Sequence, residues 1–586
     1  MPQELNGRYA AEVEEYVDAV LTGRKKACIE LIQSCRRFRR DIESGRFDLR
    51  CEEADYVIGK IETQFVHRKG EDLNGYPLLG KPLLLEPWEK FIIYGILIFY
   101  HPGTILRRYK EAFIFIPRKN GKTLLVAALA WALALLSVKS GATIYIAAAA
   151  LKQAMESFNN IKNNLTSHLY DSQEDAEDDG WRILDNNNVH SISNSNIGGG
   201  SVMIEALAAN PDAHDSLNCN FAIADELHAF KSAKQYNILR EAMKAYSNKL
   251  MIGISTAGDG GRHTFCAQRL AFCQRILASE TEDIYSDQLF IFICKAAEDK
   301  DGNVDYLNPD EHEKANPNYG VTIRPHEMTA SALEAQNDPQ QRKDFLQKSL
   351  NVFVSPARAY FNLYEFRNSD RQYTWTLDEL AALPVKWYGG ADLSKLHDLT
   401  AAALYGVYNG VSIIVPHCWF PIEAAYKKAD EDNIPLFGWK DEGWLTMSNA
   451  PTVNHAEVVR WFGEMRERGF RIAEIGHDRK FCREYFVAMK KAGFRIIDQP
   501  QYFYKKSEGF RYIENAAKNG TLYYLHADPY EYCVENVHAI EKTDDMVMYE
   551  KIDDNTRIDV FDASVFACIR MLENMERDAN KPEWED

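Results

Sequence analysis

Residues 111–123 read EAFIFIPRKNGKT, and this stretch decides the fold. An apolar run rich in β-formers (112–116) enters a short polar loop. Gly121, Lys122 and Thr123 follow, and an apolar helical pattern occupies 123–138. Farther along, 143–147, 221–224 and 250–254 are again short, apolar and rich in β-formers, with helical patterns between them. Apolar strands alternating with helices predict an α/β fold, a parallel-rich sheet covered on both faces.

A strand, a glycine-bearing loop and a helix start form a cradle for phosphate. The loop N–H groups face the anion, and the helix N-terminus adds partial positive charge. In that cradle Arg118, Lys119, Asn120 and Gly121 line the phosphates, and Gly121 lets the backbone pass close. Lys122 reaches the β- and γ-phosphates, and the Thr123 hydroxyl ligates Mg²⁺. Ile116 stands where such a loop usually has its first glycine.

Two further strand ends complete the reading. NCNFAIADELHAF (218–230) sets Asp225 and Glu226 at the end of an apolar strand. One carboxylate there can hold Mg²⁺, and its neighbour can act as base toward the attacking water. His228 reads as a surface or capping histidine before it reads as a catalytic one. LMIGISTAGDG (250–260) ends a strand in Ser255, Thr256 and Ala257, small groups able to sense the γ-phosphate and couple hydrolysis to movement.

Composition bounds the rest. The chain has 586 residues, 46% hydrophobic and 26% charged, an ordinary globular mixture of two to four domains. A net charge of −18 excludes a simple basic nucleic-acid coat but not a DNA enzyme with local basic clusters. One such cluster, 24–40, reads as a solvated helix face with phosphate contact as the alternative. The acidic stretch 171–179 reads as a solvated loop. The longest apolar run, 124–138, is 15 residues, short of the roughly 20 that a membrane span needs. No secretory signal opens the sequence, and the 11 cysteines lack metal-knuckle spacing, so a reducing cytoplasm is expected.

A second α/β region starts near 385. WYGGADLS (387–394) ends a strand at Asp392, and RIAEIGHDRK (471–480) ends another at Asp478. TRIDVFDASVFACIRML (556–572) begins a helix that carries Asp559 and, one turn on, Asp562. Carboxylates that converge without Cys or His ligands suit hard cations, Mg²⁺ or Mn²⁺, and a two-metal phosphodiester cleavage. Asp398 reads as a turn acid. Asn409-Gly410 between apolar runs predicts a hairpin. Residues 490–520 set Lys490, Lys491, Arg495, Lys505, Lys506 and Arg511 among Phe494, Tyr502, Phe503 and Tyr504, a basic aromatic loop suited to a DNA backbone.

In this order, IPRKNGKT, IADELHAF and ISTAG resemble the ATPase half of the large terminase subunit of tailed bacteriophages. LLLEPWEKFIIYGI (83–96) resembles its adenine-binding segment, with Glu89 where the family usually has Gln. An ionised Glu only accepts, whereas Gln also donates. YIAAAALKQAMESF (145–158) and FLQKSLNVFV (345–354) resemble the segments after the second strand and at the end of the lid. Arg118 matches a basic position thought to stabilise γ-phosphate charge, and Arg118 and Arg262 are the candidate arginine fingers. The spaced acids resemble the family's ribonuclease-H-like nuclease, with an I-D-x-x-x-A element matched by Ile558, Asp559 and Ala563, which ranks Asp559 above Asp562.

The resemblance spans about 15–575. It implies an N-terminal helical region (1–60), a P-loop ATPase domain (61–355) whose helical lid begins near 260, a linker (356–384) and a nuclease domain (385–586). It further implies ATP and Mg²⁺ as cofactors, cutting of concatemeric DNA, and its translocation into a procapsid. The implied partners are double-stranded DNA, a small terminase subunit, the portal and a homo-oligomeric ring in the host cytoplasm, without a membrane. The residues leave open a helicase-like ATPase whose C-terminal region only binds DNA, and a nucleotide-switched scaffold without catalysis.

Overall fold

A computed structural model of the chain describes residues 4–579 apart from 188, 209–216, 231–232, 259–263, 280–283, 300–301, 355–358, 394–398, 432–433, 478–482, 543–545 and 553–555. It divides into two units, one of residues 1–299 and 303–354 and one of 300–302 and 355–586.

In the first unit a two-residue antiparallel ribbon joins β1 (Asp48–Leu49) to β2 (Phe99–Tyr100). The main sheet holds β3 (Glu111–Phe115), β4 (Ala142–Ala148), β5 (Trp181–Asp185), β6 (His190–Ile197), β7 (Gly200–Ala208), β8 (Phe221–Asp225), β9 (Leu250–Ser255) and β10 (Leu289–Ile293). Their spatial order is β10-β3-β9-β8-β4-β7-β6-β5. All pairs are parallel except β7–β6 and β6–β5. Every residue of β3, β8, β9 and β10 is buried, which is why these strands read as unbroken apolar runs rather than alternating ones. β10 lies inside the stretch expected to be mostly helical. The β5–β6–β7 meander was not foreseen, because its polar alternation (HSISNSNI in β6) resembles a loop.

The helix Lys122–Leu136 is buried from Leu125 through Ala134, so it packs as a core element instead of an amphipathic surface one. The N-terminal helices belong to the same unit. Ser34 Oγ and an Arg37 guanidinium nitrogen donate to the carbonyl oxygens of Ile291 and Leu289 on β10. Fully buried Arg108 pairs with Asp41 at 2.6 Å and with Asp287 at 2.7 Å. In the basic stretch at 24–40, Arg24 pairs with Glu15, Lys26 with Asp310 and Arg39 with Asp18 while all three side chains stay partly exposed, as a solvated helix face would have them.

The second unit is built on β11 (Lys386–Asp392), β12 (Thr400–Tyr408), β13 (Val411–Pro421), β14 (Leu445–Ser448), β15 (Arg471–His477), β16 (Ile496–Asp498) and β17 (Leu522–Tyr523). They are ordered β14-β13-β12-β11-β15-β16, with β17 beside β13. A separate hairpin pairs β18 (Val537–Glu541) with β19 (Val547–Lys551). Asn409 and Gly410 take φ of 48° and 80°, the left-handed pair that a two-residue hairpin turn requires between β12 and β13. Residues 359–384, expected as part of a linker, instead fold onto this unit. Helices Leu363–Asp370 and Leu377–Ala382 form there, Ser369 Oγ donates to the Leu522 carbonyl, and Asp370 accepts the Tyr524 N–H. The basic aromatic stretch is a helix over Phe503–Lys518, not a loop.

The helix Asp559–Ala579 lies across β11 and β12. Its close approach depends on Gly390, because a Cβ there would sit 2.1 Å from the Ala563 carbonyl oxygen and 2.5 Å from the Ala567 nitrogen. Both are backbone atoms of a buried helix and cannot yield locally. Gly390→Ala is therefore expected to destabilise the second unit by about 1–3 kcal/mol. Calorimetry of the full chain would register this as a lowered transition, and an unchanged melt would refute the packing described.

Candidate functional site

The first candidate site sits at the carboxyl edge of the large sheet. β3 ends at Phe115, and the Ile116 N–H donates to the Ser255 carbonyl oxygen at 3.0 Å, which ties the loop's start to β9. Lys119 (φ 69°) and Gly121 (φ 80°) are left-handed, so the chain turns sharply before the helix begins. The Lys122 ammonium is buried. Its Nζ donates to the carbonyl oxygens of Pro117 (3.1 Å) and Ile116 (3.4 Å). Burial pushes this amine down, opposed by the charges of Glu226 and Asp225. The strand-end acids therefore face the loop.

β9 stands between β3 and β8, so Ser255, level with Phe115, also neighbours the end of β8. Asp225 is buried, and its Oδ1 has no hydrogen-bond partner among the described residues. Burial first, then the charge of Glu226, raises its carboxyl to about 7. An orphaned buried carboxylate oxygen beside a phosphate cradle fits a divalent cation. Glu226 is the one acid at this edge in the left-handed region, at φ 55°. Burial alone would raise its carboxyl. His228, 3.1 Å away, together with Lys122 and Arg118, outweighs burial and holds it below the usual range. The His228 side chain, 14% exposed, lies against Glu226, and its backbone N–H donates to Ser255 Oγ at 2.9 Å.

Other expected phosphate residues have different surroundings. The Asn120 amide donates to Asn316 Oδ1 at 2.8 Å, and its oxygen accepts the Asn318 N–H at 3.0 Å. Trp88 Nε1 in turn donates to Asn318 Oδ1. Asn120 therefore fixes the loop's shape. Arg118 and Lys119 are exposed. Thr123 opens the second position of the helix. Thr256 Oγ1 donates to Asn351 Oδ1 at 3.0 Å, and the same oxygen accepts the Ala257 N–H at 2.7 Å. Asn351, itself left-handed at φ 60°, donates to the Cys294 carbonyl beyond β10. It is a linchpin that sequence reasoning missed; the only signal was a lone Asn inside the apolar run LNVFV. Arg262 lies outside the described residues.

The second candidate site lies at the end of β11. Asp392 aligns with Ala401 on β12, which aligns with Cys418 on β13. His477, the last residue of β15, lies 2.8 Å through Nδ1 from the Ala391 carbonyl oxygen. Asp478 and Asp398 lie outside the described residues. The two acids on the final helix face different neighbours. Asp562 is buried, ion-paired through Oδ1 to Lys506 at 2.6 Å, and accepts the Tyr549 hydroxyl. Burial, then Asp562 and more weakly Asp392, pushes that tyrosine well above its ordinary value, so both acids act on one side chain. Asp559 instead acts on Cys533 and Cys418, whose thiols burial and its charge raise. Among the described residues no three His, Cys, Asp or Glu side chains gather as a metal cluster.

Most of the basic side chains between the acids are engaged. Arg495 pairs with Glu474, Arg511 with Glu514 and Glu541, and Lys505 with Glu573. Tyr502, Phe503 and Tyr504 are exposed, with Tyr502 and Tyr504 stacked at 5.6 Å. Among the described residues, no helix is long and apolar enough to cross a membrane.

Two family models match the chain: terminase large subunit, ATPase domain, over residues 87–275, and terminase large subunit, endonuclease domain, over residues 283–575. The large terminase subunit of Enterobacteria phage HK97 is 25% identical over 434 residues, 70% of this chain and 73% of that protein. Protein YmfN of Escherichia coli (strain K12) is 24% identical over 379 residues, 61% of this chain and 78% of that one. The crystal structure of the HK97 bacteriophage large terminase aligns with 88% of this chain and 99% of its own, at a TM-score of 0.47 and 20% identity. With both models matched in tandem over most of its length, the chain belongs to the terminase large-subunit family, an ATPase joined to an endonuclease in viral DNA packaging.

Proposed function

We propose that the first unit hydrolyses ATP at the Lys122–Asp225–Glu226 edge and that the second cuts DNA at Asp392, Asp478 and one of the two acids on the final helix, Asp559 or Asp562. The observation that carries the first half is a buried ammonium, Lys122, acted on by the charges of buried Asp225 and half-buried Glu226 where the left-handed loop meets the helix. Lys122 trades the carbonyls of Ile116 and Pro117 for phosphate oxygens. Thr123 and Asp225 would hold Mg²⁺, which would supply charge neutralisation for the β- and γ-phosphates. Glu226, kept ionised by His228 and Lys122, takes the proton of the attacking water. Ser255 Oγ sits against His228, and Thr256 and Ala257 sit against Asn351, so a shift at the γ-phosphate reaches the 345–351 segment through hydrogen bonds.

For the nuclease, the third acid is Asp559 or Asp562: Asp562 acts with Asp392 on Tyr549, and Asp559 acts on Cys418, which stands in register with Asp392 through Ala401. Asp478 directly follows His477, which reaches β11 beside Asp392. These carboxylates would hold Mg²⁺ or Mn²⁺, which supplies water activation and stabilises the leaving oxygen. The working assembly is a ring of this chain with double-stranded DNA, a small terminase subunit and the portal of a procapsid, in the host cytoplasm.

Glu89 is proposed to face adenine in its protonated form. It is the N3 residue of a capping box with Glu86, and its Oε2 accepts the Glu86 N–H at 2.8 Å. Burial, only partly offset by that hydrogen bond, raises its carboxyl to about 8. At neutral pH it therefore both donates and accepts, as Gln does.

Three outcomes test these assignments. Lys122→Ala and Glu226→Gln should each lower ATP turnover by about 100-fold or more, with nucleotide binding retained in Glu226→Gln; unchanged turnover in Lys122→Ala removes the ATPase assignment. Asp392→Asn should abolish metal-dependent nicking of supercoiled plasmid, and whichever of Asp559→Asn and Asp562→Asn also abolishes it identifies the third acid; nicking retained in all three removes the nuclease assignment. Glu89 has a raised folded-state pKa, so its contribution to stability is complete below the ordinary carboxyl value and is lost as pH rises through about 8. Above the ordinary value the loss runs at up to about 1.4 kcal/mol per pH unit. Glu89→Gln should flatten the fall in denaturation midpoint between pH 6 and pH 9, and equal slopes in both proteins would sink the protonated-Glu reading.

A further inference from the structure

In the second unit Arg495, Lys506 and Arg511 are paired with acids of the same unit, but the aromatic side chains among them are uncovered. Tyr502, Phe503 and Tyr504 are 55%, 44% and 46% exposed. Among the described residues of the second unit, no other Phe, Tyr or Trp is exposed. Rings of this size supply much of a fold's apolar burial, so three consecutive ones left in water forgo stabilisation that the other aromatics of this unit provide. The Tyr502 and Tyr504 rings are near-parallel, 6° apart in plane with centroids at 5.6 Å, and Phe503 meets Tyr504 edge-on at 6.0 Å.

The backbone fixes these rings at one edge of the sheet. β11, β15 and β16 are parallel, so their carboxyl ends share an edge, and His477 at the end of β15 is level with Asp498 at the end of β16. Asp392 ends β11 on that edge. Shortly after Asp498, the Tyr502 N–H donates to the Pro500 carbonyl, and the Tyr502 carbonyl accepts the N–H groups of Lys505 and Lys506, which starts the helix Phe503–Lys518. Buried Gln499 braces the turn between strand and helix. Its N–H donates to the His477 carbonyl at 2.9 Å, and its side-chain oxygen accepts Arg570 Nε of the final helix at 2.5 Å. The rings therefore stand on a braced segment, which lowers the entropy lost when a ligand orders them.

We propose that Tyr502, Phe503 and Tyr504 form a stacking platform for unpaired DNA bases beside the cutting edge, so that the endonuclease engages strands that are locally unpaired. The proposal rests on the nuclease centre lying at the carboxyl edge of β11 and β15. In an intact duplex the faces of the bases cover one another, and a protein meets only their edges and the phosphates. A flat ring gains full contact only from a base that has left the stack, and each such contact contributes about 1–3 kcal/mol whichever base it is. Lys505 is the neighbouring cation. It is 44% exposed and 3.5 Å from Glu573, a solvated pair weak enough for a DNA phosphate to displace. With Arg495, Lys506 and Arg511 paired within the protein, the ring faces are the larger recognition surface here, and they adjoin the edge at which an endonuclease of this family meets DNA.

The test uses the full chain in EDTA, so that no strand is cut. The probes are a labelled single strand of about 16 nucleotides, the blunt duplex of the same length, and an equally long strand of abasic nucleotides. The proteins are the parent, Tyr502→Ala/Tyr504→Ala, Tyr502→Phe/Tyr504→Phe and Asp392→Asn, with Phe503→Ala as the second variant should the double alanine not fold by circular dichroism. The expected result is a single-strand Kd about tenfold higher in the alanine variant, near the parent value in the phenylalanine variant, and unchanged affinity for the duplex and the abasic strand. A single strand carrying iododeoxyuridine should also cross-link to residues 502–504 on irradiation, read by mass spectrometry, and the paired duplex should not. An unchanged single-strand Kd in a folded alanine variant, an equal loss on all three DNAs, or cross-links confined to other residues overturns the proposal. Plasmid nicking with Mg²⁺ separates it from the nuclease reading: nicking retained in Asp392→Asn, with single-strand binding as expected, overturns the placement of the nuclease centre and not the platform.

Discussion

A buried carboxylate must be answered by positive charge, and each half of this chain holds one, Asp225 at the end of β8 and Asp562 in the first turn of the final helix. In the first unit Asp225 has an oxygen with no protein partner among the described residues, and its carboxyl is raised to about 7. In the second, Asp562 is answered by Lys506. An unmatched buried ion costs several kcal/mol, which the pairing with Lys506 offsets at Asp562 and the raised carboxyl avoids in part at Asp225.

Around the ATPase edge, polar side chains act as connectors. Asn120 joins the phosphate loop to Asn316 and Asn318, and Asn351 joins the end of β9 to the Cys294 carbonyl past β10. Each is fully buried, and each buried polar group left without its partner would cost about 1–3 kcal/mol. Such amides specify one arrangement of loops. His228 extends the same logic to Glu226, because it touches Glu226 and Ser255 at once, and Gly258 leaves room for its ring. A left-handed Glu226 backbone is held by these neighbours, as strained conformations at working sites are.

The apolar strands β3, β4, β8 and β9 and the helix after Gly121 were legible because burial on both faces leaves no alternation to misread. The Asn409-Gly410 turn was legible because few other dipeptides accept two left-handed residues. The β5–β6–β7 meander and β10 were not, since a half-polar or isolated strand acquires its identity from the sheet it joins. Residues 359–384 looked like a connector because their few apolar side chains, such as Phe361 stacked on Phe510 at 4.8 Å, pack against partners far away in sequence.

By itself the sequence determined the chemistry on offer: a glycine-lysine-threonine loop after a strand, paired acids at strand ends, and a family order of motifs. Those are local patterns, set by backbone geometry and side-chain type within a few residues. Only the tertiary structure decided what each group faces. It turned Asn120 into a brace and engaged most of the expected DNA-binding basic side chains in ion pairs. It buried Glu89, which raises its carboxyl, and it paired Asp562 with Lys506 and Tyr549. Burial and charge pairing depend on residues hundreds of positions apart, and no local pattern encodes them.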